Sequence, residues 1–306
     1  MKRTRNPEPQ SLPVSPALLR RMPLPQPDEE GDKEERGRVL IVGGAVEMPG
    51  AVILAATAAL RAGAGKLQIA TCRSIARAVA VAVPEARVFA LSETRAGAVA
   101  VSGADEISRR AREVNAILIG PGLTDQGAAA RLVRKVLPRI GKAVVVLDAV
   151  ALSCFTETPK CLHDLDCKAV LTPHAGEMAT MLGMDKSEVM RDPLKTAREA
   201  ARNLRAVVAL KGAETHIVAH GVSQSYCNRA GNVGLATSGS GDTLSGLITG
   251  LSARGATPLQ ATVWGVYLHA CAGDALAKRM GRLGYLAREL GAEVPALMSK
   301  LEVRKK

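Results

Sequence analysis

The stretch Arg38–Thr71, RVLIVGGAVEMPGAVILAATAALRAGAGKLQIAT, sets the fold. Its β-branched run Val39–Val42 is typical of a strand buried on both faces, and the apolar run Lys66–Thr71 predicts a second strand. The alanine-rich segment Ala51–Arg61 between them has the composition and length of a helix. A strand, a helix and a strand in this order predict a parallel β-α-β unit.

The same alternation continues beyond this unit. Further apolar runs predict strands at Ala116–Ile119, Ala143–Leu147, Ala169–Thr172 and Ala206–Leu210. The segments between them predict helices at Gly127–Ile140, Glu177–Leu182 and Leu194–Leu204. We therefore expect an α/β fold with a doubly wound, mostly parallel open sheet, arranged as three α/β/α layers.

The last third of the chain adds a hairpin and long helices. Thr215–Ala219 and Val222–Cys227 flank the turn His220-Gly221 and predict a two-residue hairpin at the edge of the sheet. Two long helices follow it. The later one is expected to begin at a capping box, Thr257 to Gln260, and to end at Gly281.

The first 36 residues differ in composition from the rest of the 306-residue chain. They hold seven of its sixteen prolines, with seven basic and seven acidic residues and no apolar periodicity. This composition predicts a disordered, charged N-terminal tail over residues 1–36. The remaining residues, 37–306, have the length of one large α/β domain, and we expect them to form a single domain.

The charge balance limits the possible partners. The net charge is +12, but the basic residues are dispersed and only six residues are aromatic. A platform that stacks single-stranded bases on aromatic rings is therefore not expected, and no nucleic-acid partner is predicted. The excess charge leaves two interpretations open, a solvated basic exterior or a phosphate-bearing small ligand. No apolar run reaches the roughly 20 residues that span a bilayer, so no membrane association is expected.

The cysteines indicate a reducing compartment. Six cysteines in a chain of this length are too few for a disulfide scaffold, and the charged, proline-rich start does not resemble a signal peptide. We therefore expect a cytoplasmic location. The group Cys154, Cys161, His163 and Cys167 lacks the paired spacing of a zinc site, so no protein-held metal is predicted.

The loop TSGSGDTLSG at residues 237–246 is the strongest functional signal. Its small residues lead directly into a helix, so the N–H groups of Gly239, Ser240 and Gly241 can form an anion hole at a helix N-terminus. The Asp242 carboxylate beside them is placed to take a proton from an attacking hydroxyl. An ordinary helix cap after a glycine-rich turn is the structural alternative.

Three other strand exits carry candidate ligand-binding residues, because ligands of open parallel sheets lie beyond the carboxyl ends of the strands. Ile119–Thr124 contains a Gly-Pro-Gly turn that lets a ligand approach bare backbone. Leu171–Glu177 places His174 before a helix, where it either contacts a phosphate or ribose or has only a structural role. Leu210–Thr215 presents Lys211 and exposed backbone to a nucleotide.

In this order and spacing, these segments resemble the ribokinase-like superfamily, whose members end with a Gly-Ser/Ala-Gly-Asp anion-hole loop. Within it, the chain is similar to the ADP/ATP-dependent NAD(P)H-hydrate dehydratases over residues 38 to about 300. The matching segments are Val42-Gly-Gly44, Pro49–Gly65, Gly120–Leu123, Thr172–His174, Gly176-Glu177, Lys211–Ala213, Thr215 and Ser238–Asp242.

The resemblance implies a ribokinase-like domain over residues 37–306 that catalyses a repair reaction. In that reaction ADP or ATP phosphorylates the ring hydroxyl of the S epimer of hydrated NADH or NADPH, and loss of phosphate restores NAD(P)H. Contacts to the hydrated dinucleotide are implied for Ala51, Gly122, His174 and Asp242, with Asp242 as the catalytic base. Contacts to the adenine nucleotide are implied for Lys211, Gly212, Ala213, Glu214, Thr215 and Gly241. Mg²⁺ is expected as cofactor, held through the nucleotide phosphates.

Some positions depart from the family pattern. Val150 stands where the family commonly has the second aspartate of Asp-Ala-Asp-Ala-Leu. This change leaves open a diverged member that binds nucleotide with low activity. A small-molecule kinase of the hydroxymethylpyrimidine, hydroxyethylthiazole or pyridoxal type is the other alternative, although the segment Pro49–Gly65 favours a dehydratase.

The resemblance also implies partners. Many bacterial relatives carry a fused epimerase, and residues 1–36 are too few to fold into one, so we expect a separate epimerase to be functionally linked to this chain. A homo-oligomer is expected as well. The sequence does not determine whether ADP or ATP is the donor, or whether NADHX or NADPHX is preferred.

Overall fold

Mostly apolar runs form the strands of one sheet in a computed structural model that describes residues 11–26, 35–165 and 168–301. Its strands are β1 (Leu12–Pro13), β2 (Arg38–Val42), β3 (Lys66–Cys72), β4 (Ala86–Leu91), β5 (Ala116–Ile119), β6 (Val144–Leu147), β7 (Ala169–Leu171), β8 (Val207–Leu210), β9 (Thr215–Ala219) and β10 (Tyr226–Asn228).

Helices connect and cover these strands. They are α1 (Pro16–Arg21), α2 (Pro49–Arg61), α3 (Arg73–Ala82), α4 (Ala104–Ala111), α5 (Gln126–Val136), α6 (Cys154–Glu157), α7 (Ala175–Leu182), α8 (Lys186–Arg191), α9 (Pro193–Leu204), α10 (Ser240–Ala253), α11 (Pro258–Met280) and α12 (Ala287–Leu301). The predicted capping box is present, because the Thr257 side chain accepts from the Gln260 N–H and the Gln260 side chain accepts from the Thr257 N–H.

The strand order is β1-β10-β9-β8-β7-β6-β5-β2-β3-β4. Strand β9 is antiparallel to both of its neighbours, and the other neighbouring pairs are parallel. Strand β2 lies between β3 and β5, so the direction of chain progression reverses there. Ligands of open α/β sheets bind at such a switch point, beyond the carboxyl ends of the strands.

Helices cover both faces of the sheet. Helices α2, α10 and α11 pack on one face, and α4, α5 and α9 pack on the other, as right-handed crossovers require. The central strands β5, β7 and β8 are buried along their whole length. These observations confirm the predicted α/β class and the doubly wound, mostly parallel sheet.

The parallel helices α2 and α10 pack with their backbones in close approach. A Cβ added at Gly246 would collide with the carbonyl oxygen of Ala55, and one added at Gly250 would collide with that of Ala59. Both pairs have the same spacing along the two helices, and extending this register by one helical turn pairs Ala51 with Asp242.

The prediction of a disordered tail over residues 1–36 is wrong for residues 11–26. Strand β1 pairs with β10, and Leu19 on α1 is fully buried in the core. The backbone carbonyl of Met22 accepts a hydrogen bond from Trp264 Nε1 at 2.7 Å. This segment contains a short apolar patch that packs onto the rest of the chain. The prolines and charged residues around the patch dominate the composition from which disorder was predicted. Residues 1–10 and 27–34 lie outside the described residues.

The predicted hairpin forms with a longer connection. Its second strand begins at Tyr226, where Val222 was expected, so residues 220–225 connect β9 to β10. The Val222 side chain is 42% exposed and does not pack into the core, so the second strand of the hairpin starts later than predicted. Strand β10 is also not the edge of the sheet, because β1 covers its outer side.

Candidate functional site

The parallel strands bring the predicted loops to one edge of the sheet. Their carboxyl ends are followed by Gly43-Gly44 after β2, Gly120–Gly122 after β5, Asp148 after β6, Thr172–His174 after β7 and Lys211 after β8. The N-termini of α2 and α10 lie at this edge as well. The four segments that the sequence analysis singled out therefore belong to one site.

The anion-hole loop contains a glycine in a backbone conformation that other residues rarely adopt. Gly239 has a φ of +85°, and a Cβ at this position would collide with Leu54 of α2. Ser240, Gly241 and Asp242 form the first turn of the 14-residue helix α10. The dipole of that helix favours an anion at this point, although the Ser240 N–H of the predicted anion hole already donates to the Thr237 carbonyl oxygen at 3.2 Å.

The two small residues predicted to contact the dinucleotide lie together. Gly122 has a φ of +67°, and a Cβ added there would lie 2.9 Å from the Cβ of Ala51. Ala51 and Gly122 thus lie together near the switch point between β2 and β5, and the register of α2 on α10 extends toward Asp242.

A buried carboxylate that the sequence analysis did not include among the site residues holds Lys211. Asp148 is 2% exposed, and its Oδ1 accepts hydrogen bonds from Lys211 Nζ at 3.0 Å and Thr172 Oγ1 at 2.8 Å. Glu177 Oε2 lies 3.8 Å from the same ammonium group. The signal was present in the sequence, because an aspartate directly after a buried apolar strand marks the ligand edge of a parallel sheet.

The lysine lies beside the anion-hole loop. A Cβ added at Gly241 would be 3.5 Å from Lys211 Nζ and 3.9 Å from Asp148 Oδ2. Burial alone would lower the pKa of Lys211, but the carboxylates of Asp148, Glu177 and Asp242 raise it above its ordinary value. The ammonium group therefore remains charged next to the predicted phosphate site.

The carboxyl of Asp242 has a strongly shifted proton affinity. Burial raises its pKa to about 7, and the negative charges of Asp148 and Glu177 add to this rise while Lys211 opposes it. A base with a pKa near 7 combines proton affinity with a substantial ionised fraction at neutral pH. Shifts of this size are concentrated at functional sites.

His174 has a structural role in this conformation. It is the N-cap of α7, where its Nδ1 accepts hydrogen bonds from the N–H groups of Gly176 and Glu177 at 3.0 and 3.1 Å. The side chain is 59% exposed. Its Nε2 side remains accessible at the site, so the predicted contact to the dinucleotide stays a prediction.

A cavity of about 830 Å³, called here the donor cavity, collects most of the predicted nucleotide contacts. Lys211, Gly212, Ala213, Thr215 and Gly241 line it. The rest of its wall comes from the loop 228–237 and from helices α10 and α11. Its volume suits one small-molecule ligand of nucleotide size.

Two further side chains bear on the predicted nucleotide contacts at the donor cavity. His269 of α11 lines the donor cavity and its Nε2 lies 3.0 Å from Ser240 Oγ, a contact the sequence analysis missed. Burial lowers the pKa of His269 to about 4, so this ring is neutral. Glu214 points away from the donor cavity and forms an ion pair with Arg229 at 2.8 Å, so its predicted nucleotide contact stays a prediction.

The described residues contain one cluster with metal-ligating atoms, formed by Glu214, His216 and Cys227. The Glu214 carboxylate already pairs with Arg229, and burial together with Glu214 raises the pKa of the Cys227 thiol to about 11. Both features oppose cation binding. Among the described members of the earlier candidate set, Cys154, Cys161 and His163 do not form such a cluster, and Cys167 lies outside the described residues.

No helix in the described part of the chain is long and apolar enough to cross a membrane. The five described cysteines, Cys72, Cys154, Cys161, Cys227 and Cys271, are free thiols.

Solved structures resemble this architecture. An ADP/ATP-dependent NAD(P)H-hydrate dehydratase from Bacillus subtilis, co-crystallised with ATP and Mg²⁺, superposes with a TM-score of 0.78 at 29% identity, over 95% of this chain and 99% of that one. A ribokinase-like superfamily protein from Enterococcus faecalis V583 superposes with a TM-score of 0.82 at 27% identity, over 97% and 99% of the two chains. The ribokinase-like fold expected from the sequence is thereby confirmed.

Sequence comparisons agree. An ADP-dependent (S)-NAD(P)H-hydrate dehydratase of Xanthomonas campestris is 48% identical over 94% of this chain and 96% of its own length. A bifunctional NAD(P)H-hydrate repair enzyme of Moorella thermoacetica is 40% identical over 92% of this chain, which spans only 53% of that relative. The family model described as NAD(P)H-hydrate dehydratase matches residues 39–296. The chain belongs to the NAD(P)H-hydrate dehydratase family.

Proposed function

We propose that this protein dehydrates the S epimer of NAD(P)HX to NAD(P)H in a reaction driven by ADP or ATP. The observation that carries the proposal is the arrangement at the switch point. There a carboxyl with a pKa near 7 lies between a glycine-rich anion loop, a charged lysine and the two small residues Ala51 and Gly122.

The first step is phosphoryl transfer to the ring hydroxyl. The oxygen on the sixth ring carbon attacks the terminal phosphorus of the donor, its proton passes to the Asp242 carboxylate, and the bond to the leaving nucleotide oxygen breaks. The N–H groups at Gly239 and Gly241, together with Lys211 Nζ, stabilise negative charge on the transferred group, while the Ser240 N–H holds the turn through the Thr237 carbonyl.

The second step is elimination. The bond between the sixth carbon and the phosphate oxygen breaks with its electron pair leaving on phosphate, and the neighbouring ring carbon releases its proton to water, so that its C–H electrons restore the ring double bond. Phosphorylation makes this possible because phosphate is a far better leaving group than hydroxide. Buried Asp148 keeps Lys211 next to the phosphate throughout.

Mg²⁺ would be held through the nucleotide phosphates, and the acidic groups at this edge of the sheet are Asp242 and the carboxylates of Asp148 and Glu177, which lie 3.0 and 3.8 Å from Lys211 Nζ. When bound, the ion supplies charge neutralisation for the transferring phosphoryl group. Asp148 and Glu177 already share Lys211, so these carboxylates do not form a dedicated cation cage.

The functional partners belong to the same proposal. A separate epimerase supplies the S epimer, an idea that the bifunctional relatives support because they are named as repair enzymes about twice as long. We also propose a homo-oligomer in the cytoplasm, where free thiols are stable.

The direct test is a repair assay. The purified protein is mixed with NADHX or NADPHX, Mg²⁺ and either ADP or ATP, and the return of dihydronicotinamide absorbance is followed. Recovery that needs the nucleotide supports the proposal and identifies the donor. Nucleotide binding without recovery, with phosphorylation of a vitamin precursor alcohol instead, would favour the kinase alternative.

A further inference from the structure

A second cavity of nucleotide size opens next to the donor cavity. It measures about 780 Å³, and we call it the α8 cavity because Lys186, Val189 and Met190 of α8 form one of its walls. It shares His174 and the turn Lys211–Ala213 with the donor cavity. The two cavities therefore meet at the lysine that lies beside the anion-hole loop.

The lining of the α8 cavity indicates the kind of ligand it accepts. Val189, Met190 and Pro193 give it an apolar floor, and Met190 is 62% exposed although it is a large hydrophobic residue. Two cations, Lys186 and Lys211, also line it. The Glu214 carboxylate is part of the wall, but its charge is compensated by Arg229. An apolar floor with cations nearby suits a flat base joined to phosphate.

The proposed reaction requires more room than the donor cavity provides. The hydrated dinucleotide consists of two nucleotides, and the phosphoryl donor is a third, so three nucleotide units must be bound at once. A cavity of about 830 Å³ has the size of a site for one drug-sized ligand. The nicotinamide end is expected at Ala51, Gly122 and Asp242, which leaves the other half of the dinucleotide without a site.

We propose that the α8 cavity binds the adenosine-phosphate half of the hydrated dinucleotide. This inference rests on the proposed function and assigns a second subsite to the same substrate. His174 lies at the junction of the two cavities, where it contacts the linking pyrophosphate. Lys186 pairs with a phosphate, and Met190 packs against the adenine ring.

The test separates the two halves of the substrate. The double variant Lys186→Ala/Met190→Ala is compared with the native chain on NADHX and on hydrated reduced nicotinamide mononucleotide, which lacks the adenosine half. The KM for NADHX should rise by roughly 5- to 20-fold with kcat unchanged, since ground-state binding is lost equally in the transition state. Turnover of the mononucleotide and the KM for ADP or ATP should not change.

A matched control variant removes a cation that lies outside the α8 cavity. Arg202 on α9 is exposed and lines a separate small cavity near residues 218–223, so Arg202→Ala should leave every constant unchanged. An increase in the KM for the donor would instead assign the α8 cavity to the donor and overturn the inference. Unchanged NADHX kinetics, or an equal loss on the mononucleotide, would also overturn it.

Binding measurements distinguish failure of the proposed subsite from failure of the proposed function. Binding of intact NADH and of ATP is measured by fluorescence and calorimetry without turnover. Weaker NADH binding by the double variant, with native ATP binding, supports the subsite even in a preparation that does not dehydrate NADHX. Native NADH binding by the double variant would overturn the subsite while leaving the repair assay unaffected.

Discussion

Asp242 is the residue on which the proposed chemistry depends. Asp242→Asn keeps the size of the side chain and the anion loop, but it removes the base. We expect kcat to fall by roughly 10²- to 10⁴-fold while ATP binding stays within about twofold. Single-turnover absorbance and calorimetry measure the two quantities. Full turnover by this variant would exclude Asp242 as the base.

The same substitution should stabilise the protein at alkaline pH. The folded-state pKa of Asp242 is about 7, above the ordinary 3.8. The protonated form is therefore favoured by folding, and this contribution is lost as the pH rises from about 4 to about 7. Asp242→Asn removes the cost of the buried charge, so we expect a gain on the order of 2 kcal/mol at pH 8 and none at pH 3.5. Urea unfolding of the nucleotide-free protein at both pH values tests this; a gain of equal size at pH 3.5 would contradict it.

Asp148 adds to the effect of burial on the pKa of Asp242, and it hydrogen-bonds Lys211. Asp148→Asn keeps a hydrogen-bond acceptor but removes a negative charge that raises the pKa of Asp242. The acidic limb of the kcat/KM profile, where activity rises as Asp242 loses its proton near pH 7 in the native chain, should therefore move to lower pH by about one unit, with a roughly 10- to 100-fold lower maximum. Thr172→Ser, which keeps the hydroxyl, is the control and should leave the profile in place. A fall in rate with an unmoved limb would reduce Asp148 to a structural role.

At the scale of the elements, the close contact of α2 with α10 sets the register that, extended by one helical turn, pairs Ala51 with Asp242. Gly246→Ala places a methyl group against the Ala55 backbone, which cannot give way as a side-chain tip would. We expect a loss of about 2–3 kcal/mol and a Tm lower by about 5–10 °C. Gly127→Ala is the control, because the nearest atom to its added Cβ is the flexible end of Arg131 at 3.3 Å. Calorimetry measures the Tm of both variants. Equal Tm values would contradict the close packing of α2 against α10.

The elements that could be predicted from the sequence are those whose pattern lies within a short stretch of residues. Strands β5 and β6 are continuous apolar runs rich in isoleucine and valine, and the capping box at Thr257 fixes the start of α11 by itself. Strand β4 was missed because it is half-buried and carries Arg87, which stacks on Phe89 at 4.9 Å. Asp148 was missed among the site residues because its partner Lys211 is 63 residues away, and only the sheet order brings them together.

At the scale of the whole molecule, contacts between residues far apart in the sequence also explain why the folding of residues 11–26 was not predicted. The composition of residues 1–36 predicts disorder, but Leu18 and Leu19 form a short apolar pair whose site is provided by helices far along the chain. No periodicity in six helical residues can reveal such a partner. Strand β1 then extends the sheet beyond β10, the strand that leads into the wall of the donor cavity.

This segment is expected to contribute to global stability. Leu19 is fully buried, so Leu19→Ala should cost about 2–5 kcal/mol through lost burial and the remaining cavity. Leu12 in the same segment is 40% exposed, and Leu12→Ala should cost less than about 1 kcal/mol. Because β1 and α1 support β10 and α11, Leu19→Ala should also raise the KM for ADP or ATP more than Leu12→Ala does. Urea denaturation and donor titration compare the two variants. Equal stability of both would show that residues 11–26 are not part of the cooperative fold.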